Sequence, residues 1–151
     1  MDSATIALKE LYDTDESVWI FENVKLIREG KIELVDWEHI AEELEIMGKS
    51  QFREVYSKMK ELFLHLLKWM FQEEYRTSSW ETSIRKQRDD SNEIFRESKN
   101  LKNYANENFG KAYEAAVKFA SSETGIPRNK FPKEPPFTLN EACEEEFWPE
   151  K

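Results

Sequence analysis

SQFREVYSKMKELFLHLLKWMFQEE, Ser50 to Glu74, decides the fold. Phe52, Val55, Met59, Leu62, Leu66 and Trp69 recur at steps of three and four. That is the period of an α-helix with one side turned inward. Tyr56, Phe63, Leu67 and Met70 widen the seam. A face this broad meets more than one neighbour, so the stretch reads as the central helix of a bundle.

The segments around it share the helical period. Ile6 to Tyr12 reads as a short helical turn. Thr14 or Asp15 can cap a helix carrying Val18, Trp19, Phe21, Val24, Leu26 and Ile27, closed by Gly30. Asp36 reads as the cap of a helix with Trp37, Ile40, Ala41, Leu44 and Met47 on one face. Gly48 is expected to end it and Ser50 to cap the next. Ser78 and Glu81 have the capping-box spacing, ahead of a helix with a thin apolar face: Trp80, Ile84, Ile94 and Phe95. Asn100 can cap a further helix whose alanines allow close approach of a neighbour, stopped by Gly125 and Pro127. FPKEPPF, Phe131 to Phe137, is a proline-rich crossing that its phenylalanines pin down. Thr138 and Glu141 open a short terminal helix leading to Phe147 and Trp148. The expectation is an all-α, up-and-down helical bundle of five to six helices around a long central helix. It forms one domain over residues 1–151, with residues 131–151 packed on the bundle.

Composition narrows the function classes. The 151 residues are 35% charged and 13% aromatic, with only four glycines and five prolines. Such a chain can bury a core without metal or disulfide and carries too little turn chemistry for many short strands. Cys143 is the only cysteine, which removes internal disulfides and cysteine-based zinc sites. The N-terminus lacks the pattern of a secretory signal, and the apolar stretch around Leu62 to Phe71 is too short to span a bilayer. The reading is a cytoplasmic protein with no membrane partner.

The net charge of −9 is unevenly spread. Residues 1–48 hold 13 acids and 4 bases, residues 49–133 hold 12 and 17, and residues 134–151 hold 6 and 1. A basic middle lies between acidic ends. The ends can fold against the middle or a neighbouring subunit, or the middle can serve an anionic partner. Overall acidity disfavours nucleic acid.

The candidate site follows from a hairpin turn near Arg76 to Ser78. It brings His65, Lys68 and Trp69 opposite Trp80, Arg85 and Arg88, with Glu61 one turn before His65. Arginine stacks on indole and pairs with a carboxylate or a bound anion. The expectation is that Arg85 and Arg88 lie partly buried beside Trp69 and Trp80, at least one facing an acid, Glu61 first. The cluster reads either as a polar layer that fixes helix register or as an anion site.

HLLKW, then SSWETSIRKQR, resembles the core of the bacterial domain of unknown function family 29, where an H-L-L-K-W block precedes S-W-x-x-[ST]-I-R-x-Q-R. WIFENVKLIREGKIELVDWEHIAEELEIMGKS resembles that family's front half, and GIPRNKFPKEPPFTLNEACEEEFWPE its tail. The resemblance implies a small helical bundle and no assigned function. Met70-Phe71-Gln72-Glu73 departs from it, because related sequences often carry more basic residues there.

Other chemistry finds little footing. Asp36–His39 is an imperfect match to the Glu-x-x-His pattern of paired-metal bundles, and Glu61–His65 has the wrong spacing. No metal and no cofactor is expected. His65 with Glu61 is within acid–base reach, but no nucleophile or phosphate cradle in recognised form accompanies it. No catalytic residue is assigned. Two classes stand: a non-catalytic interaction or assembly protein with a protein partner or further copies of itself, and an anion-recognising protein or enzyme acting on phosphate, carboxylate or RNA.

Overall fold

A computed structural model of the chain describes Ser3 to Glu150, with side chains from Ile6 onward. Among the described residues the fold is all-α, without strands. Seven helices run α1 (Ser3–Thr14), α2 (Glu16–Arg28), α3 (Trp37–Phe71), α4 (Ser78–Glu97), α5 (Lys99–Glu107), α6 (Phe109–Thr124) and α7 (Leu139–Cys143). The chain divides into two compact units, residues 1–49 and residues 50–151.

The expected break at Gly48–Ser50 does not occur. One helix of 35 residues passes through both positions. Gly48 does not adopt the left-handed backbone found at Gly30 and Gly125, so nothing local ends the helix. A glycine inside a helix costs about 1 kcal/mol relative to alanine. A Cβ added at Gly48 meets nothing within 4 Å, so no packing inside the chain requires it. Conversely, the helix expected to run on from Asn100 is divided at Asn108 into α5 and α6. Two caps move by a residue or two: Thr77 caps α4 by accepting the Trp80 N–H, and Ser98 caps α5 by accepting from Leu101. Asp15, Gly125 and the Thr138–Glu141 capping box stand where the sequence puts them.

In residues 50–151 the core gathers around the C-terminal part of α3. Phe63, Leu66 and Leu67 have no exposed surface, and Val55, Met59 and Leu62 almost none. Phe63 meets Phe109 edge-on at 5.2 Å and Phe137 at 5.5 Å. Ala112, Ala116 and Ala120 form a fully buried stripe on α6, which lets that helix approach the core closely. The buried Phe131 and Phe137 hold the proline-rich crossing, and the Tyr113 hydroxyl donates to the Pro132 carbonyl at 2.6 Å. Burial pushes the Tyr113 phenol up to about 12, so it stays a donor.

In residues 1–49, α1 and α2 pack on each other, and Lys9 pairs with Glu38 on α3 at 3.1 Å. Among its described residues, the buried apolar side chains are Leu8, Trp19 and Val35.

Phe63→Ala should cost about 3–5 kcal/mol, because it removes the ring between Phe109 and Phe137 and leaves a cavity. Urea unfolding followed by circular dichroism checks this, and a loss below about 1 kcal/mol contradicts the packing described.

Candidate functional site

Arg88 is the centre of the sequence-predicted cluster. It sits on α4 with only 2% of its surface exposed. A buried guanidinium must find acceptors for its fixed fork of donors. It finds three backbone carbonyls of the C-terminal segment: Nε donates to Ala142 at 2.7 Å, one terminal nitrogen to Glu145 at 3.3 Å, the other to Phe147 at 2.5 Å. One turn on, Asn92 donates to the Cys143 carbonyl at 2.9 Å. Desolvation lowers the Arg88 pKa, which still leaves it a cation at any ordinary pH.

Trp148 closes the arrangement. Its ring lies 5.0 Å from the Arg88 guanidinium carbon, 5.1 Å from that of Arg85, and 4.7 Å from the Trp69 ring. Trp69 also has Arg76 over its face at 4.6 Å, and the Arg76 Nε donates to the Trp69 carbonyl at 2.8 Å. Two tryptophans thus lie among three cations, a stack of cation–π contacts that locks the tail onto α3 and α4.

The other members of the predicted cluster are placed differently. Arg85 is exposed and pairs with Glu81 at 3.0 Å, one turn back on its own helix, and with Glu145 at 3.7 Å. Lys68 pairs with Glu123 on α6 at 3.1 Å and stands 5.0 Å from the Trp80 ring. His65 turns its Nδ1 to the Glu61 carbonyl at 2.8 Å, which makes that nitrogen the protonated one. The Glu61 carboxylate is 3.6 Å from the same nitrogen and more than half exposed. The arginines therefore meet Trp69 by way of Trp148, and their acceptors are the tail carbonyls, Glu81 and Glu145 rather than Glu61. Pairing the hairpin helices by residue number could not anticipate this, because the third body at the site comes from more than fifty residues downstream. Among the described residues, Trp69 Nε1 and Gln87 Oε1 are buried without a hydrogen-bond partner. Cys143, at the end of α7, is buried, and burial pushes its thiol up to about 11, away from nucleophilic behaviour.

A second polar centre, in residues 1–49, was not foreseen as a unit. The Asp36 carboxylate is 1% exposed. Its Oδ2 accepts from the Trp19 indole N–H at 3.0 Å and faces His39 Nδ1 at 2.6 Å. Its Oδ1 takes the His39 backbone N–H at 3.4 Å, capping α3. Asn23 accepts the Asp36 N–H and donates to the Trp19 carbonyl. Tyr12 stacks on His39 at 4.0 Å with the rings 9° apart, and its hydroxyl donates to Glu43. That bond, then burial and nearby acids, raise the Tyr12 pKa. The local sign was Asp36 three residues before His39, but Trp19 and Tyr12 join only through tertiary packing. Among the described residues no three His, Cys, Asp or Glu side chains are grouped to hold a metal ion. No helix among them is long and apolar enough to cross a membrane.

The family model "Domain of unknown function DUF29" matches residues 11–148. The chain belongs to that family. No curated protein and no solved structure matches it. The DUF29 match spans both polar centres, from Tyr12 of the first to Trp148 of the second.

Two outcomes follow for this DUF29 chain. Arg88→Met should cost about 3 kcal/mol, since three carbonyls lose a charged donor, whereas Arg85→Met, which loses exposed ion pairs and one exposed cation–π contact, should stay within about 1 kcal/mol. Equal losses in urea unfolding contradict the clamp.

The second outcome concerns acid. Burial alone raises the Asp36 pKa, but the bonds from His39 and Trp19 outweigh it and the net shift is downward. A folded value below the unfolded one stabilises above the ordinary carboxylate range and is lost as pH falls through the folded value. Asp36→Asn should therefore cost about 1–3 kcal/mol near neutrality, with the gap to the parent closing on acidification. An unchanged gap in unfolding measured across that range contradicts the assignment.

Proposed function

We propose that this protein is a non-catalytic interaction protein that works through the helices of residues 1–49. One observation carries the reading. Of twelve large apolar side chains that stand exposed among the described residues, ten lie between Ile6 and Met47. Phe21 is 69% exposed, Leu44 61% and Met47 59%. Exposed apolar side chains concentrated in one segment mark a contact site. The acidic charge of the same segment deters nonspecific aggregation and nucleic acid.

The anion-binding alternative has a weaker footing. An open depression lined by Thr82, Arg85, Lys86 and Asn92 also contains the carboxylates of Asp89 and Glu145. Arg88, its strongest potential ligand, has three of its five donors engaged by the tail carbonyls. Phosphate or a small dicarboxylate should accordingly leave the melting temperature unchanged. A saturable upward shift that Arg85→Met abolishes returns the anion reading to first place.

A photo-crosslinking residue placed at Phe21 or Leu44 in the producing cell should give discrete adducts, and one at exposed Lys118 should not. Absence of adducts from both front positions, or the same yield at all three, overturns the interaction reading.

A further inference from the structure

We infer that the N-terminal part of α3 is a self-complementary surface on which a second copy of the chain docks, its helix antiparallel to the first. The inference rests on the interaction reading above and names the occupant.

Trp37, Ala41, Leu44 and Gly48 follow one another at steps of four, three and four, so they lie along one stripe of α3. His39 and Glu43, which hold Tyr12 of α1, lie on the other side of the helix. The stripe is thus turned away from the contacts with α1. Trp37 is 48% exposed and Leu44 61%, with Met47 beside them at 59%. The Trp37 indole N–H donates to the Ile32 carbonyl at 3.0 Å, which fixes its ring next to the exposed Ile32.

The stripe alternates large and small: tryptophan, alanine, leucine, glycine. A two-fold axis between residues 42 and 43 sets an antiparallel copy in a single register. Trp37 then faces Gly48 of the second copy, and Leu44 faces Ala41 of the second copy. The same two contacts repeat by symmetry. Every large side chain meets a small one, the condition for interdigitated helix packing, and the interface is isologous as a closed dimer requires. Gly48 fits this register. It sits inside a long helix against the helix propensity of glycine, in an ordinary helical conformation, with open space where a Cβ would stand. Among the described residues nothing lies within 4 Å of that point, whereas the indole of a second copy would reach it.

Charge sets the sign of the salt dependence. Residues 1–48 carry 13 acids and 4 bases, so two such surfaces repel, and added salt screens the repulsion. A dimer of this kind tightens as ionic strength rises, whereas a basic partner segment on the same stripe lets go.

Sedimentation velocity on the purified full chain, over a wide range of loading concentrations and at low and high sodium chloride, tests this. A reversible dimer is expected that strengthens with salt. Gly48→Leu fills the hole and should weaken it at least ~10-fold, while raising the melting temperature of the dilute monomer by about 2–5 °C through helix propensity. Leu44→Gln, at a position exposed in the single chain, should also dissociate the dimer and leave the circular dichroism unchanged. The double variant Trp37→Ala with Gly48→Leu exchanges large and small across the axis and should restore association. A monomer at all concentrations, a dimer indifferent to Gly48→Leu and Leu44→Gln, or a double variant that stays monomeric overturns the inference. A monomeric chain that still gives adducts with another protein from Leu44 in cells removes the second copy but keeps the interaction reading. Absence of adducts removes that reading itself.

Discussion

A guanidinium taken out of water must have acceptors, and the arrangement of residues 50–151 turns on where Arg88 finds them. No side-chain carboxylate is used. Three carbonyls of the C-terminal segment converge on its fork, which obliges that segment to run along α4 in one path. The short α7 and its capping box set the direction of approach, and the proline-rich crossing delivers it. Trp148 then arrives between Trp69 and the arginines. Because the acceptors are backbone atoms, the clamp specifies a chain path rather than a side-chain identity. Glu145 can face solvent while its carbonyl stays held.

The front of the chain solves the same problem with the opposite charge. Asp36 is buried as an anion and is matched by the indole of Trp19, the ring and backbone of His39, and the amide of Asn23 at its own N–H. This network ties α2 to the start of α3, and Tyr12 brings in α1 by stacking. A small unit with few buried apolar side chains gains specificity from such a satisfied polar centre. It also leaves much of its apolar surface uncovered, and that surface is the basis for reading the protein by what it contacts. Each unit pairs a histidine with an acid, Asp36 with His39 and Glu61 with His65, and the single thiol, Cys143, is buried.

The helical nature of the chain was legible because periodicity is a local property. A seam such as Val55, Met59, Leu62 and Leu66 can be read from spacing alone, and so can the caps at Asp15 and Thr138 and the glycine stop at Gly125. The family resemblance was legible for the same reason, as blocks such as HLLKW and SIRKQR are contiguous. The misread points are those where a local signal competes with its surroundings. Gly48 followed by Ser50 looks like a stop and a cap, yet strong helix formers on both sides carry the helix through at modest cost. Asn108 interrupts a run whose apolar spacing is continuous.

The candidate site divides along the same line. From turn position and helical spacing alone, the sequence by itself groups His65, Lys68, Trp69, Trp80, Arg85 and Arg88 about one hairpin. Only the tertiary structure decided what each of them touches. Arg88 is separated from its acceptors by more than fifty residues, Lys68 from Glu123 by 55, and Trp19 from Asp36 by 17. Such partners are chosen when helices and tail pack, since a buried polar group takes whichever acceptor the completed core brings within reach, and no local period records that choice.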